Sequence, residues 1–231
     1  MDAAQIRDQL LAEILDDGPG ADHTFDEYAL VKRLEAPRSA VRQALVSLTE
    51  AGLLTRAPRR GTSLVNQLHY WDVAAPTGVA AGQPTVWFET VGVDTVEPPA
   101  PVALELTGDP DAELTRIRRI SRVGGRAAEH WTIWTTLDLP DRARASGLPS
   151  DLNWYEYVGS LTGEQTLRMT RRSVDCRATL DDRTLLDVEP GDPLRFLSRR
   201  LDHADGRPID RSWGRVNPQL AVASETFVLR V

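Results

Sequence analysis

Two helix-like segments separated by only two residues, Glu35 and Ala36, and followed by a basic turn, limit what the first quarter of this chain can become. The second of them opens at Pro37, which suits the first turn of a helix, and runs through Val41, Ala44, Leu45 and Leu48 at i, i+3, i+4 and i+7 to Ala51-Gly52. The first has the S/T-x-x-E form of a capping box in Thr24 and Glu27, then a buried stripe in Leu30, Val31 and Leu34. A connection this short is what a helix-turn-helix requires. Before it, Ala3, Ile6, Leu10, Leu11 and Ile14 recur at helical spacing until Gly18-Pro19-Gly20 stops the run. After it, Leu53-Leu54-Thr55 and Thr62-Ser63-Leu64-Val65 flank Arg56-Ala57-Pro58-Arg59-Arg60-Gly61, which reads as a basic hairpin.

Helix, helix, helix and basic hairpin make a winged helix-turn-helix, and the polar face of the third helix carries Arg38, Ser39, Arg42 and Gln43. Such a face enters a major groove, where Arg reads guanine and other cations neutralise phosphates. The net charge of -7 argues against nucleic acid only as a sum. Residues 1–27 hold one Arg against eight Asp and Glu, whereas residues 28–67 hold seven Lys and Arg against two Glu. The positive charge is local, and screening confines surface fields to about 8 Å. Double-stranded operator DNA is therefore the expected partner, with a protein-contacting winged helix as the alternative.

At 231 residues the chain has room for two compact domains. No apolar run approaches the roughly 20 residues of a membrane helix, and the acidic start lacks the form of a signal peptide, so a cytoplasmic protein is expected. Cys176 is the only cysteine, which excludes an intramolecular disulfide and a cysteine-based zinc site; its expected role is a small buried hydrophobe. Neither HExxH, P-loop, G-x-S-x-G nor dinucleotide fingerprint occurs, so no enzyme, cofactor or metal is expected. Asp202-His203-Ala204-Asp205 resembles a ligand cluster but reads as a solvated hairpin tip.

Residues 1–66 form the expected winged helix, 67–84 a linker rich in Pro and Gly, and 85–231 a second domain. In the latter, residues 86–96 read as a strand, 102–106 as a short helix, 153–161 as a helix and 172–180 as a strand. Arg118-Arg119-Ile120, Gly125-Arg126 and Glu129 align at an offset of 81 residues with Arg199-Arg200-Leu201, Gly206-Arg207 and Asp210, which suggests two matching hairpins. Strands with interspersed helices predict an α+β domain.

The stretch from Arg33-Leu34-Glu35-Ala36-Pro37-Arg38 through Ser39-Ala40-Val41-Arg42-Gln43-Ala44-Leu45, continued by Leu48-Thr49-Glu50-Ala51-Gly52-Leu53-Leu54 and Arg60-Gly61-Thr62, resembles the GntR family of bacterial regulators. The resemblance implies that Arg38 and Arg42, with the wing at Arg59, Arg60, Gly61 and Thr62, contact DNA. It departs from the family at Asp26-Glu27-Tyr28, where Ser-Glu-Arg is usual, at Glu35 for a turn Gly, at Pro37 for Ser and at Arg59 for a wing Gly. The second half, through Leu114-Thr115-Arg116-Ile117-Arg118-Arg119-Ile120, Trp154-Tyr155-Glu156-Tyr157-Val158, Val188-Glu189-Pro190-Gly191-Asp192-Pro193-Leu194 and Asp205-Gly206-Arg207-Pro208-Ile209-Asp210-Arg211-Ser212, resembles the UTRA effector-binding domain of HutC-type members, with its chorismate-lyase-like fold and antiparallel sheet. That likeness implies a homodimer, a repressor released by a small-molecule effector, and effector contacts at Arg119, Ser121, Asn153, Tyr155, Asp210 and Arg215. Catalysis on the same fold, or plain small-molecule binding, is the alternative function.

Overall fold

A computed structural model of the chain describes residues 1–17, 24–57, 61–64, 71–72, 88–123, 125–164, 166–218 and 220. Helices α1 (Ala3–Asp17), α2 (Glu27–Leu34) and α3 (Arg38–Glu50) turn their apolar stripes inward, burying Ile6, Leu10, Ile14, Leu30, Leu34, Val41, Ala44, Leu45 and Leu48 together. The cap of α2 differs from the expected one. Asp26 Oδ1 accepts from the Ala29 backbone N–H at 2.7 Å, while Thr24 is drawn into a strand, β1 (Thr24–Phe25). Pro37 stands just ahead of α3 rather than inside its first turn. Strands β2 (Leu54–Ala57) and β3 (Gly61–Leu64) form the wing, and β1 joins the far side of β3, so the order is β1-β3-β2.

The turn between α2 and α3 is closed by Glu35 at φ 48 and ψ 36, with its N–H donating to the Val31 carbonyl. A left-handed non-glycine residue is held there by the helices on both sides rather than by its own preference.

The remaining elements are β4 (Trp71–Asp72), β5 (Phe88–Val96), α4 (Ala100–Thr107), β6 (Leu114–Val123), β7 (Arg126–Thr135), α5 (Asp141–Ser146), α6 (Trp154–Thr162), β8 (Leu167–Arg177), α7 (Leu180–Leu185), β9 (Pro193–His203) and β10 (Pro208–Val216). The strands form one antiparallel sheet in the order β4-β8-β9-β10-β7-β6-β5, with the two expected hairpins, β6-β7 and β9-β10, joined edge to edge. The chain is thus α+β, as expected. Strand β4 falls inside the expected linker and pairs with β8 through Trp71 and Ser173. The strand expected at 172–180 runs instead from Leu167 to Arg177, and Thr179 then opens α7 through a capping box with Asp182. Helix α5 has no counterpart in the sequence reading. Among the described residues no helix is long and apolar enough to cross a membrane.

Alternation along the strands gives the sheet two distinct faces. On one, Ile117, Ile133 and Leu201 pack under α5 and α6 with Ala143, Trp154 and Val158. On the other, Trp134, Trp213, Phe196 and Val174 share one core with α1, α3 and α4, the two tryptophans meeting edge to face at 4.6 Å. The hairpin offset of 81 holds for Glu129 and Asp210, which share the α6 side, but not for Arg118 and Arg199, which lie on opposite faces. Both hairpins carry a register shift at equivalent places, beside Ala128 and Ile209, so the change of phase comes from the turns: Val123 pairs with Arg126 across two residues, whereas His203 meets Arg207 across three.

The winged helix is therefore docked on the sheet, and charge pins it there. Arg7 of α1 donates to Thr179 Oγ1 at 2.6 Å and to Asp182 Oδ1 at 3.2 Å, Arg215 Nε donates to the same Asp182 oxygen at 2.8 Å, and Arg215 Nη2 also reaches Asp8 of α1. Nearly all of this is buried. Arg7 and Arg215 balance Asp8 and Asp182, which buried charges require.

Candidate DNA interface and effector site

Arg38, Ser39, Arg42 and Gln43 all lie on the solvent face of α3, opposite the Val41-Ala44-Leu45-Leu48 stripe. Arg38 leaves most of its side chain in water while its Nε donates to Glu27 Oε1 of α2 at 2.7 Å, a contact that raises the Arg38 pKa. The wing is less simple. Gly61 opens β3 opposite Ala57, but the Thr62 side chain is buried because β3 is the middle strand, flanked by Phe25 and Arg56. Thr62 thus shapes the wing rather than presenting a side chain. Arg59 and Arg60 lie outside the described residues.

The sheet face under α6 gathers five of the six expected effector residues. Arg119 and Ser121 alternate along β6, Asp210 sits on β10, and Tyr155 leans over from α6. Asn153 is beside them, but its Oδ1 accepts from the Tyr155 backbone N–H at 3.1 Å as the cap of α6, so its first task is to start that helix. Arg215 is separated from the rest. Its odd place on β10 turns it to the opposite face, into the Asp8 and Asp182 cluster that holds α1.

Arg199 is the centre that the sequence reading did not select. Its Nη2 donates to both oxygens of Asp210 at 3.2 and 3.3 Å, its Nη1 lies 3.4 Å from the Tyr155 hydroxyl, and its guanidinium stacks 5.5 Å from the Trp131 ring and 5.4 Å from the Tyr155 ring. Asp210 also accepts from Trp154 Nε1 at 2.7 Å. Burial opposes the charge on Arg199, yet Asp210 and Tyr155 together outweigh it and hold its pKa above the ordinary value. Gly214 gives Trp131 its seat, since a Cβ there would stand 2.7 Å from the indole. The clue in the sequence was parity: Arg199 falls on the same face as Asp210 only once the bulge is counted.

Arg119 is different in kind. Buried, it donates to the carbonyls of Pro149 at 2.9 Å, Phe88 at 3.2 Å and Leu152 at 3.3 Å, and has no carboxylate partner among the described residues. Its Nε is buried without an acceptor, and burial lowers its pKa to about 10. Nearby, burial pushes the Glu129 carboxyl up even though Trp131 Nε1 donates to it at 3.0 Å.

Several other titratable and aromatic residues fall into structural roles. His130 is buried on the wing-side face, and desolvation lowers its pKa to about 4. Trp134 and Trp213 pack in the core. At the tip of β9-β10, His203 Nδ1 pairs with Glu164 at 2.5 Å and Arg207 with Asp205 at 2.7 Å, leaving an ion-paired turn. Among the described residues no group of three or more His, Cys, Asp or Glu is placed to hold a metal. Burial pushes the Cys176 thiol up to about 12, as suits an inert packing residue.

An exposed basic recognition helix, a wing, and a sheet domain carrying a polar, aromatic-lined face define a DNA-binding regulator. Residues 2–64 match the model of the bacterial regulatory proteins of the gntR family, and the chain is a transcriptional regulator with a GntR-family DNA-binding domain. No curated protein matches the sequence. Among solved structures, PhnF from Mycobacterium smegmatis is 18% identical with a TM-score of 0.53, covering 96% of this chain and 98% of that one. YydK from Bacillus subtilis, described as a possible transcriptional regulator, is 14% identical with a TM-score of 0.50, covering 100% and 99%. At these identities the likeness shows a shared fold.

Proposed function

We propose that the chain is a HutC-type repressor of the cytoplasm that binds operator DNA as a homodimer and is released by a small-molecule effector held on the α6-side face of its UTRA-like domain. The winged helix spans residues 1–66, with 67–84 as linker and 85–231 as the effector and dimerisation domain. Arg119 carries this reading. A buried guanidinium held by three carbonyls and facing no acid is costly in an empty protein and becomes favourable when an anionic ligand group joins it. Trp131 and Tyr155, already stacked on Arg199, add flat apolar surface beside it, so the ligand class is a small molecule with one anionic group and a planar or apolar body. Ser121 and Asp210 supply the remaining polar contacts. No reaction step is needed: the ligand acts by binding two arrangements of the winged helices with different affinity.

Footprinting on the upstream region of the chain's own gene tests the DNA half of the reading; a protected palindrome with half-sites about 34 to 36 Å apart is the expected result. A screen of carboxylates and phosphate esters for release of that DNA tests the other half. Release that survives Arg119→Met would place the effector elsewhere.

A further inference from the structure

The wing-side face carries a row of arginines that neither the DNA interface nor the α6-side site uses. Arg200 and Arg211 are cross-strand partners on β9 and β10, Thr170 continues the row on β8, and Arg168 and Arg172 stand two residues to either side of Thr170. Like charges directly opposite one another destabilise a sheet unless anions lie over them. Three carboxylates do so. Asp202 meets Arg200 at 2.6 Å, Glu105 of α4 lies 3.4 Å from Arg200 and 3.6 Å from Arg211, and Asp16 of α1 meets Arg172 at 3.0 Å and also Arg211. The Arg168 side chain makes no hydrogen bond or ion pair among the described residues. These four arginines and three carboxylates line one open cleft of about 370 Å³.

Asp16 is the one of the three acids that belongs to the winged helix. Without it the cleft holds four cations against two anions. The Asp16 side chain is 37% exposed and that of its partner Arg172 32%, so this pair is open to solvent, whereas its other partner Arg211 lies buried beneath it.

We infer that this cleft is a second ligand site, for a small dianion of the phosphate type, which competes with Asp16 for Arg172 and Arg211 and so loosens α1 from the sheet. Guanidinium forks suit phosphate oxygens at least as well as a carboxylate, and the cleft has the size of small-ligand sites. The competition makes the anion and the docked winged helix linked ligands of the same arginines, each weakening the other by the same factor.

The test is a titration of the full chain with sodium phosphate against sodium chloride at matched ionic strength, read by deuterium uptake over residues 3–17. Phosphate is expected to speed uptake severalfold and saturably, and chloride is not. Arg168→Ala, a change at an exposed side chain, weakens the apparent phosphate affinity about tenfold, the loss of one charge-assisted contact. Asp16→Asn speeds uptake without phosphate and tightens phosphate binding by a similar factor. Equal uptake in phosphate and chloride overturns the site, as does a phosphate response unchanged in Arg168→Ala and Asp16→Asn. Arg119→Met keeps the response; its loss there would move the anion to the α6 side and overturn the assignment. Neither DNA nor the primary effector enters the experiment, so it stands apart from the reading of the α6-side site.

Discussion

Glu27, in the first turn of α2, holds Arg38, the first residue of α3, by its Nε at 2.7 Å while the rest of the side chain stands in water. An exposed ion pair contributes little stability, so what it provides is aim. Glu27→Gln is expected to weaken operator binding severalfold with no change in melting temperature, and Arg38→Ala with Arg42→Ala to weaken it at least about a hundredfold in gel shifts at fixed salt. Undiminished binding by Glu27→Gln would show that Arg38 needs no guide.

Glu35 marks a stabilising substitution. Its left-handed backbone costs an L-residue about 1 kcal/mol that glycine avoids, partly offset by the greater freedom of glycine in the unfolded chain. Glu35→Gly should raise stability by about 0.5 kcal/mol in urea melts, and Glu35→Val, β-branched, should lower it.

Two arginines on one face predict opposite outcomes. Arg199→Met strands the Asp210 carboxylate in a buried site and should cost about 3 to 5 kcal/mol. Arg119→Met removes a buried cation that no acid balances, so stability should change by less than about 1 kcal/mol while the ligand response is lost. Chemical denaturation of the two variants side by side separates them.

His130 ties stability to pH. Its folded pKa of about 4 lies below the 6.5 of a free imidazole, so the unfolded chain takes up its proton first as pH falls. The contribution of the neutral ring is complete above pH 6.5 and is lost between 6.5 and 4, by about 3 kcal/mol at the low end. Because carboxylates titrate in the same window, the measurement is the difference between the wild type and His130→Gln: the variant should show the shallower acid loss, and parallel curves would refute the assignment.

The winged helix was legible because its information is local: Leu30, Leu34, Val41, Ala44, Leu45 and Leu48 announce their helices by spacing, and Pro37 and Gly52 bound one of them. The cap of α2 differs because Thr24 and Asp26 are both residue types that cap helices, and only the strand pairing of Thr24 with Ser63 decides between them. In the second half the hairpins showed through their turns, and five of six effector candidates fell on one face. Arg215 stands an odd number of residues from Asp210 on one strand, so alternation alone turns it to the other face, whereas Arg199 joins Asp210 only through a bulge near Ile209 that is invisible in sequence. Nothing local predicts that Arg7 meets Asp182 or that Asp16 meets Arg211, since those pairs lie 175 and 195 residues apart.

Strand β10 is buried along almost its whole length, with Asp210, Ser212 and Gly214 facing the α6 side and Arg211, Trp213 and Arg215 facing the winged helix. This makes its length in residues an inheritance constraint. One inserted residue ahead of Ser212 would present the anchors of α1 to the effector side and the effector contacts to α1. Relatives with different ligands and operators can vary every side chain in this strand and still share its count, so insertions and deletions among them should collect in the β9-β10 turn and spare the strand.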